Sequence, residues 1–193
     1  MGSVAVIENV TLDGVMQAPG GVDEDPRGGF AFGGWARPYL DHVMAETMGK
    51  GMRAEGAMLF GRRTYEQFHG FWAGQTDGNP YTEVLNRRLK YVASRTLAEP
   101  LPWQNSSLLT GDVCAAVASL KETTDLAVLG SGELVRSLAR AGLVDTYTLS
   151  IHPLTLGTGI KLFDDAAATM KLVDSVPTTT GVIIATYRVA SLS

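Results

Sequence analysis

As far as about Ala141, short apolar runs alternate with amphipathic stretches of helical spacing. From Thr146 the period becomes a strict two, with Tyr147, Leu149 and Ile151 on one face and Thr148, Ser150 and His152 on the other. A chain that runs strand, helix, strand builds parallel pairs, because each helix carries it back across the sheet, whereas strands that follow one another directly pair antiparallel. The change of period therefore predicts a single α/β domain over residues 1–193. It has three layers: a mixed, mostly parallel central sheet, antiparallel C-terminal strands and flanking helices. At 193 residues and 45% hydrophobic content the chain supplies one full core and not two ordinary ones.

Strands are expected at Val4 to Thr11, Ala57 to Phe60, Lys90 to Ala93, Ser107 to Leu109, Leu126 to Leu129, Thr146 to His152, Lys171 to Val176 and Val182 to Val189. A helix is expected from Pro38 to about Gly49, with Leu40, Val43, Met44 and Met48 as its apolar members, and a shorter one from Thr64 to Phe68. Others follow the caps Asn79 and Asp112, and the last runs from Glu133 to Ala141 with Gly142 as its stop. Between Leu12-Asp13-Gly14 and Trp35 lies a long glycine-rich, acidic stretch, which reads either as a functional loop or as a disordered surface insertion. Asp164-Asp165 reads as a solvated turn.

Two strand-to-helix junctions carry the chemistry. Leu59-Phe60-Gly61-Arg62-Arg63-Thr64-Tyr65-Glu66 places two guanidinium groups and a hydroxyl at a helix start, where unpaired N–H groups attract phosphate. Val128-Leu129-Gly130-Ser131-Gly132-Glu133-Leu134 adds glycines that let a ligand approach the main chain. Ser94-Arg95 ends another apolar strand, so a third guanidinium can join Arg62 or Arg63 on one monophosphate. For each element the plainer reading is an ordinary turn with a surface arginine. The second junction lacks the G-x-G-x-x-G spacing of the usual dinucleotide fingerprint, and no Walker pattern is present.

Charge excludes other partners. Sixteen basic residues against twenty acidic ones leave no broad cationic field for nucleic acid, while Arg62-Arg63, Arg87-Arg88 and Arg95 concentrate charge in the central third. One cysteine, Cys114, excludes an internal disulfide and fits a packed thiol in a reducing compartment. His42, His69 and His152 have no second ligand at metal-binding spacing, so each reads as packed or solvated and no metal site is expected. Met1 to Val10 lacks the basic start and long apolar run of a signal peptide, and no membrane-length apolar segment occurs, so the expected compartment is the cytoplasm.

The ordered set resembles the dihydrofolate-reductase-like superfamily, and more closely the bacterial branch grouped with the reductase domain of the bifunctional riboflavin-biosynthesis deaminase/reductase. Its marks are Thr11-Leu12-Asp13-Gly14, Gly61 to Glu66, Lys90 to Leu97, Gly130 to Leu134, Leu143-Val144-Asp145, and His152-Pro153 through Gly157-Thr158-Gly159 to Leu162-Phe163. The resemblance implies NADPH lying across the carboxyl ends of the strands. Gly61, Arg62, Arg63, Thr64, Ser94 and Arg95 would surround the 2′-phosphate and nearby pyrophosphate, and Gly130, Ser131, Gly132, Glu133 and Leu134 the pyrophosphate and nicotinamide side. Asn9 would lie beneath the nicotinamide, and the loop from Leu12 to Gln17, including Met16, would cover it. Dihydrofolate reductases carry a carboxylate on the helix after a tryptophan loop. Here Trp35 precedes Asp41 at a different spacing, so Asp41 and Tyr39 are candidates for assisting protonation, with solvent water and an exposed helical aspartate as the other readings.

The expected activity is hydride transfer from NADPH to a C=N or C=O group of a small heterocyclic or sugar-derived substrate, of pterin or 5-amino-6-(5-phosphoribosylamino)uracil type by resemblance. The alternative is a non-catalytic NADP(H)-binding protein acting as a sensor or interaction module. The alternating C-terminal strands offer a homodimer surface of the kind this branch uses.

Overall fold

A computed structural model describes residues 1–53, 55–76, 78–163 and 167–190; Asp164-Asp165 lies outside them. The strands are β1 (Val4–Thr11), β2 (Ala57–Gly61), β3 (Lys90–Ala93), β4 (Ser106–Leu109), β5 (Leu126–Leu129), β6 (Thr146–His152), β7 (Thr169–Pro177) and β8 (Ile183–Ala190). The helices are α1 (His42–Arg53), α2 (Arg62–Trp72), α3 (Pro80–Arg87), α4 (Val113–Lys121) and α5 (Gly132–Arg140). One eight-stranded sheet has the order β4-β3-β2-β5-β1-β6-β8-β7. Its first six strands are mutually parallel, and β8 pairs antiparallel with both β6 and β7. This is the mixed sheet that the change of period predicts.

Alternation along each strand divides the core between the two faces of the sheet. Val4, Val6, Leu59, Leu126 and Val128 pack with Val117 of α4 and with Leu134 and Leu138 of α5. The opposite residues Met58, Phe60 and Val92 pack with Tyr65, Leu85 and Trp103 beside α2 and α3. Ala57 to Phe60 are buried without alternation because β2 is a central parallel strand covered on both sides. Caps form where the side chains allow: Asn79 accepts from the Tyr81 N–H and Asp112 from the Ala115 N–H.

Several details depart from the sequence reading. The helix expected from Pro38 is interrupted: Arg37–Tyr39 forms a separate 3-10 turn, Leu40 is extended, and α1 begins at His42. Of its expected apolar members Met44 is buried, whereas Leu40 and Met48 are exposed. The helix expected from Thr64 to Phe68 is longer and starts directly after Gly61. The glycine-rich stretch is a packed loop. Val15, Ala18, Phe30, Trp35 and Ala36 form their own apolar cluster, and the Trp35 indole donates to the Gln17 carbonyl at 2.7 Å.

Candidate active site

The two junctions meet because β2 and β5 are neighbours in the sheet, with β3 beyond β2 and β1 beyond β5. All four run parallel, so Gly61, Ser94, Gly130 and the end of β1 open on one edge, where open α/β sheets place their ligands. Ser131 ties the junctions together: its hydroxyl accepts from the Gly61 N–H at 2.9 Å and donates to the Leu129 carbonyl at 3.0 Å. Gly130 and Ser131 are both left-handed, with φ of 55° and 67°. A Cβ on Gly130 would stand 2.9 Å from the Thr64 methyl, so glycine is what allows this close approach. Among the described residues no side chain caps α2 or α5, so their leading N–H groups have no side-chain acceptor at this edge.

The basic residues divide. Arg62 is turned along α2 to Glu66 at 2.8 Å, while Arg63 extends across to Glu133 at 3.7 Å. Arg95 is exposed after β3 and takes no side-chain partner among the described residues. The Ser94 hydroxyl accepts from the Thr96 and Leu97 N–H groups, holding the turn that presents Arg95. Arg87 and Arg88 end α3 ahead of Lys90, at the amino end of β3, and so stand apart from the other three.

The loop after β1 lies over the second junction. Met16 is buried, and its sulfur would stand 2.6 Å from a Cβ on Gly132. Gln17 is pinned by donating to the carbonyls of Asp25 and Arg27 and by accepting from the Ile160 N–H. Arg27 joins Asp25 at 2.5 Å and Glu133 at 3.5 Å, and the Gln67 amide donates to the Glu24 carbonyl. Glu133 is therefore an exposed acid facing two guanidinium groups, and Leu134 beside it is core.

Asp41 is committed elsewhere. One carboxyl oxygen accepts from the Met44 N–H and caps α1; the other accepts from the N–H and hydroxyl of Thr179. The Thr179 hydroxyl bond and the Met44 N–H hold its pKa down to about 2, so it is ionised at neutral pH, the state of a cap and not of a proton donor. The Tyr39 carbonyl accepts from the Thr180 hydroxyl, and its ring stands edge-to-face with His152 at 5.4 Å.

Two of the buried polar residues are Glu8, not singled out from the sequence, and His152, read there as packed or solvated. Glu8 occupies an inward position between Val6 and Val10; burial holds its pKa well above the carboxylate range, and one oxygen has no partner. The signal was a carboxylate in register with three inward valines. His152 closes β6 wholly inside the protein, where burial pulls its pKa down to about 4. Between about pH 4 and 6.5 the unfolded chain holds a proton on this residue that the folded chain lacks, so stability rises with pH through that window. About 3 kcal/mol of stability present at pH 7 is expected to be lost by pH 4 on this account. Urea titrations of wild type and His152→Gln across that range check it, since the variant lacks this contribution.

Among the described residues no cluster of histidine, cysteine and carboxylates has the makings of a metal site, and no helix is long and apolar enough to cross a membrane. Cys114 is half-buried with its sulfur 3.8 Å from the Ser137 carbonyl.

A family model described as the RibD C-terminal domain matches residues 3–184. The uncharacterized protein YyaP of Bacillus subtilis (strain 168) is 27% identical over 191 residues, covering 93% of this chain and 90% of its own length. A putative riboflavin biosynthesis protein from Shewanella sp. PV-4 superposes with a TM-score of 0.69 at 18% identity, covering 98% and 99% of the two chains. A pyrimidine reductase-like protein from Corynebacterium diphtheriae gives 0.69 at 14% identity, over 98% and 92%. Dihydrofolate reductase from Enterococcus faecalis, complexed with NADP(H) and RAB-propyl, gives 0.60 at 16% identity, over 98% and 97%.

Proposed function

The chain belongs to the RibD C-terminal domain family, and on that premise we propose that it is an NADPH-dependent reductase of a small heterocyclic or sugar-derived substrate with a C=N or C=O group. The observation that carries this reading is the convergence, at the ends of adjacent parallel strands, of two uncapped helix starts with Arg63, Thr64, Ser94 and Arg95. The donor set fits the cofactor: main-chain N–H groups at Gly130 to Gly132 for a pyrophosphate, and two guanidinium groups that follow the adjacent strands β2 and β3 for a separate monophosphate. When bound, NADPH supplies hydride. Met16 and Gln17 cover the site and exclude water, while Asn9 stands at its floor at the end of β1. With Asp41 occupied as a cap, the proton comes from solvent.

Turnover is tested by following NADPH absorbance against pterins, pyrimidine-ribitol precursors and simple carbonyls. At least one class is expected to be reduced; NADPH binding with no oxidation across the panel favours a sensor or interaction module. The reading includes a homodimer. The edge strand β7 leaves Leu172 and Val173 about half exposed, opposite Tyr187 of β8, and its free edge is suited to pairing with a second copy. Sedimentation giving only monomer at micromolar concentration removes the dimer.

A further inference from the structure

Where β1 and β6 end side by side, Asn9 and His152 form a polar pair. The His152 Nε2 lies 3.1 Å from the Asn9 Oδ1, whereas its Nδ1 is buried without a partner. Trp35 and Tyr39 stand edge-to-face with the imidazole at 5.1 and 5.4 Å. A neutral imidazole carries one N–H. Placed on Nδ1, that proton would seal a donor among rings with no acceptor, and buried orphan donors are rarer than lone pairs without a donor. The proton therefore sits on Nε2 and is donated to the Asn9 oxygen. Asn9 is half-buried, and its amide nitrogen takes no partner among the described residues.

We propose that His152 is a positioning residue: it locks the Asn9 carboxamide with its oxygen inward and its NH2 toward the crevice, so that this point of the site takes a hydrogen-bond acceptor and rejects a donor. The matching group is a carbonyl oxygen on a planar ring system, offered either by the nicotinamide carboxamide or by the substrate. The proposal rests on the reading of this edge as the ligand crevice.

The tautomer is read from long-range proton–nitrogen NMR of the ring at pH 7, assigned with His152→Gln; a proton on Nδ1 overturns the proposal. Ligand polarity is read by titrating lumazine, which presents carbonyls, and 2,4-diaminopteridine, which presents amines, with and without NADP+. NADPH is titrated in parallel. In wild type the dicarbonyl ring is expected to bind about tenfold more tightly, one hydrogen bond's difference. Asn9→Asp, which offers only acceptors, reverses the order. His152→Leu frees the amide to turn and brings the two ligands close to equal, while His152→Gln, folded by circular dichroism, keeps the donor and the preference.

If the substitutions weaken NADPH and leave the pteridines equal, the acceptor is the cofactor's carboxamide. If they change neither series, or if neither pteridine binds and NADPH affinity is unmoved, the proposal fails. Loss of NADPH binding by wild type sinks the cofactor reading alone, because the pteridine titrations do not require it.

Discussion

Lys90→Ala is expected to lower the unfolding free energy by about 4 kcal/mol, read as a fall in the urea midpoint with an unchanged slope. Lys90 opens β3 and is almost completely buried, yet its ammonium is fully bonded. It donates to the carbonyls of Arg88 at 2.8 Å, Gln104 at 3.0 Å and Asn86 at 3.3 Å, and it lies 4.5 Å over the Trp103 ring. Two of those carbonyls close α3, so one side chain ties a helix end to the start of a strand and to the segment before β4. Removing it strands the Arg88 and Gln104 carbonyls at about 1 kcal/mol each, the Asn86 carbonyl keeping the Asn105 amide at 3.2 Å, and leaves a gap against Trp103 that costs about 2 kcal/mol more. Lys90→Met fills most of the gap and keeps those two carbonyls stranded, so it should cost about 2 kcal/mol. Burial pulls the pKa down to about 8. Between pH 8 and about 10.5 the unfolded chain holds a proton that the folded chain has released, so wild-type stability rises with pH there and the rise is absent from Lys90→Met. A loss under 1 kcal/mol in both variants would show that water replaces the ammonium.

The mixed sheet was legible because it rests on period and order: helices separate the strands up to β6, except β3 and β4, which pair parallel through the segment 94–105 without a helix, and β6, β7 and β8 then follow one another directly. The Asn79 and Asp112 caps were legible because capping is local. What escaped was set by partners distant in sequence. Thr179 and Thr180, about 140 residues after Asp41 and Tyr39, bond the Asp41 carboxylate and the Tyr39 carbonyl where a 3-10 turn gives way to the later start of α1. His152 reads as the outward member of an alternating strand, but Trp35 and Tyr39 roof that face and bury it. Composition likewise grouped five arginines that the parallel sheet separates onto its two ends. Proximity of the two junctions was not written in either; it follows from β5 inserting between β2 and β1.

The double variant Arg63→Ala/Arg95→Ala is expected to weaken NADPH binding about a thousandfold and NADH binding by less than about threefold. A charge-assisted hydrogen bond to phosphate contributes roughly 1.5–3 kcal/mol, so two guanidinium groups on one monophosphate together contribute about 4 kcal/mol. NADH has no monophosphate to lose. Releasing Arg63 from Glu133 costs little, since that contact spans 3.7 Å between half- and mostly-exposed groups. Glu133→Gln should accordingly tighten NADPH modestly, by freeing Arg63 and removing an acid from the phosphate's neighbourhood. Arg62→Ala separates the arginines: its guanidinium is held by Glu66 on its own helix, so it should lose far less than Arg63→Ala. Raising salt from low to physiological strength should weaken NADPH more than NADH in wild type and affect both alike in the double variant. Equal losses for the two nucleotides would mean that these arginines support the fold of the edge and do not select the phosphorylated cofactor.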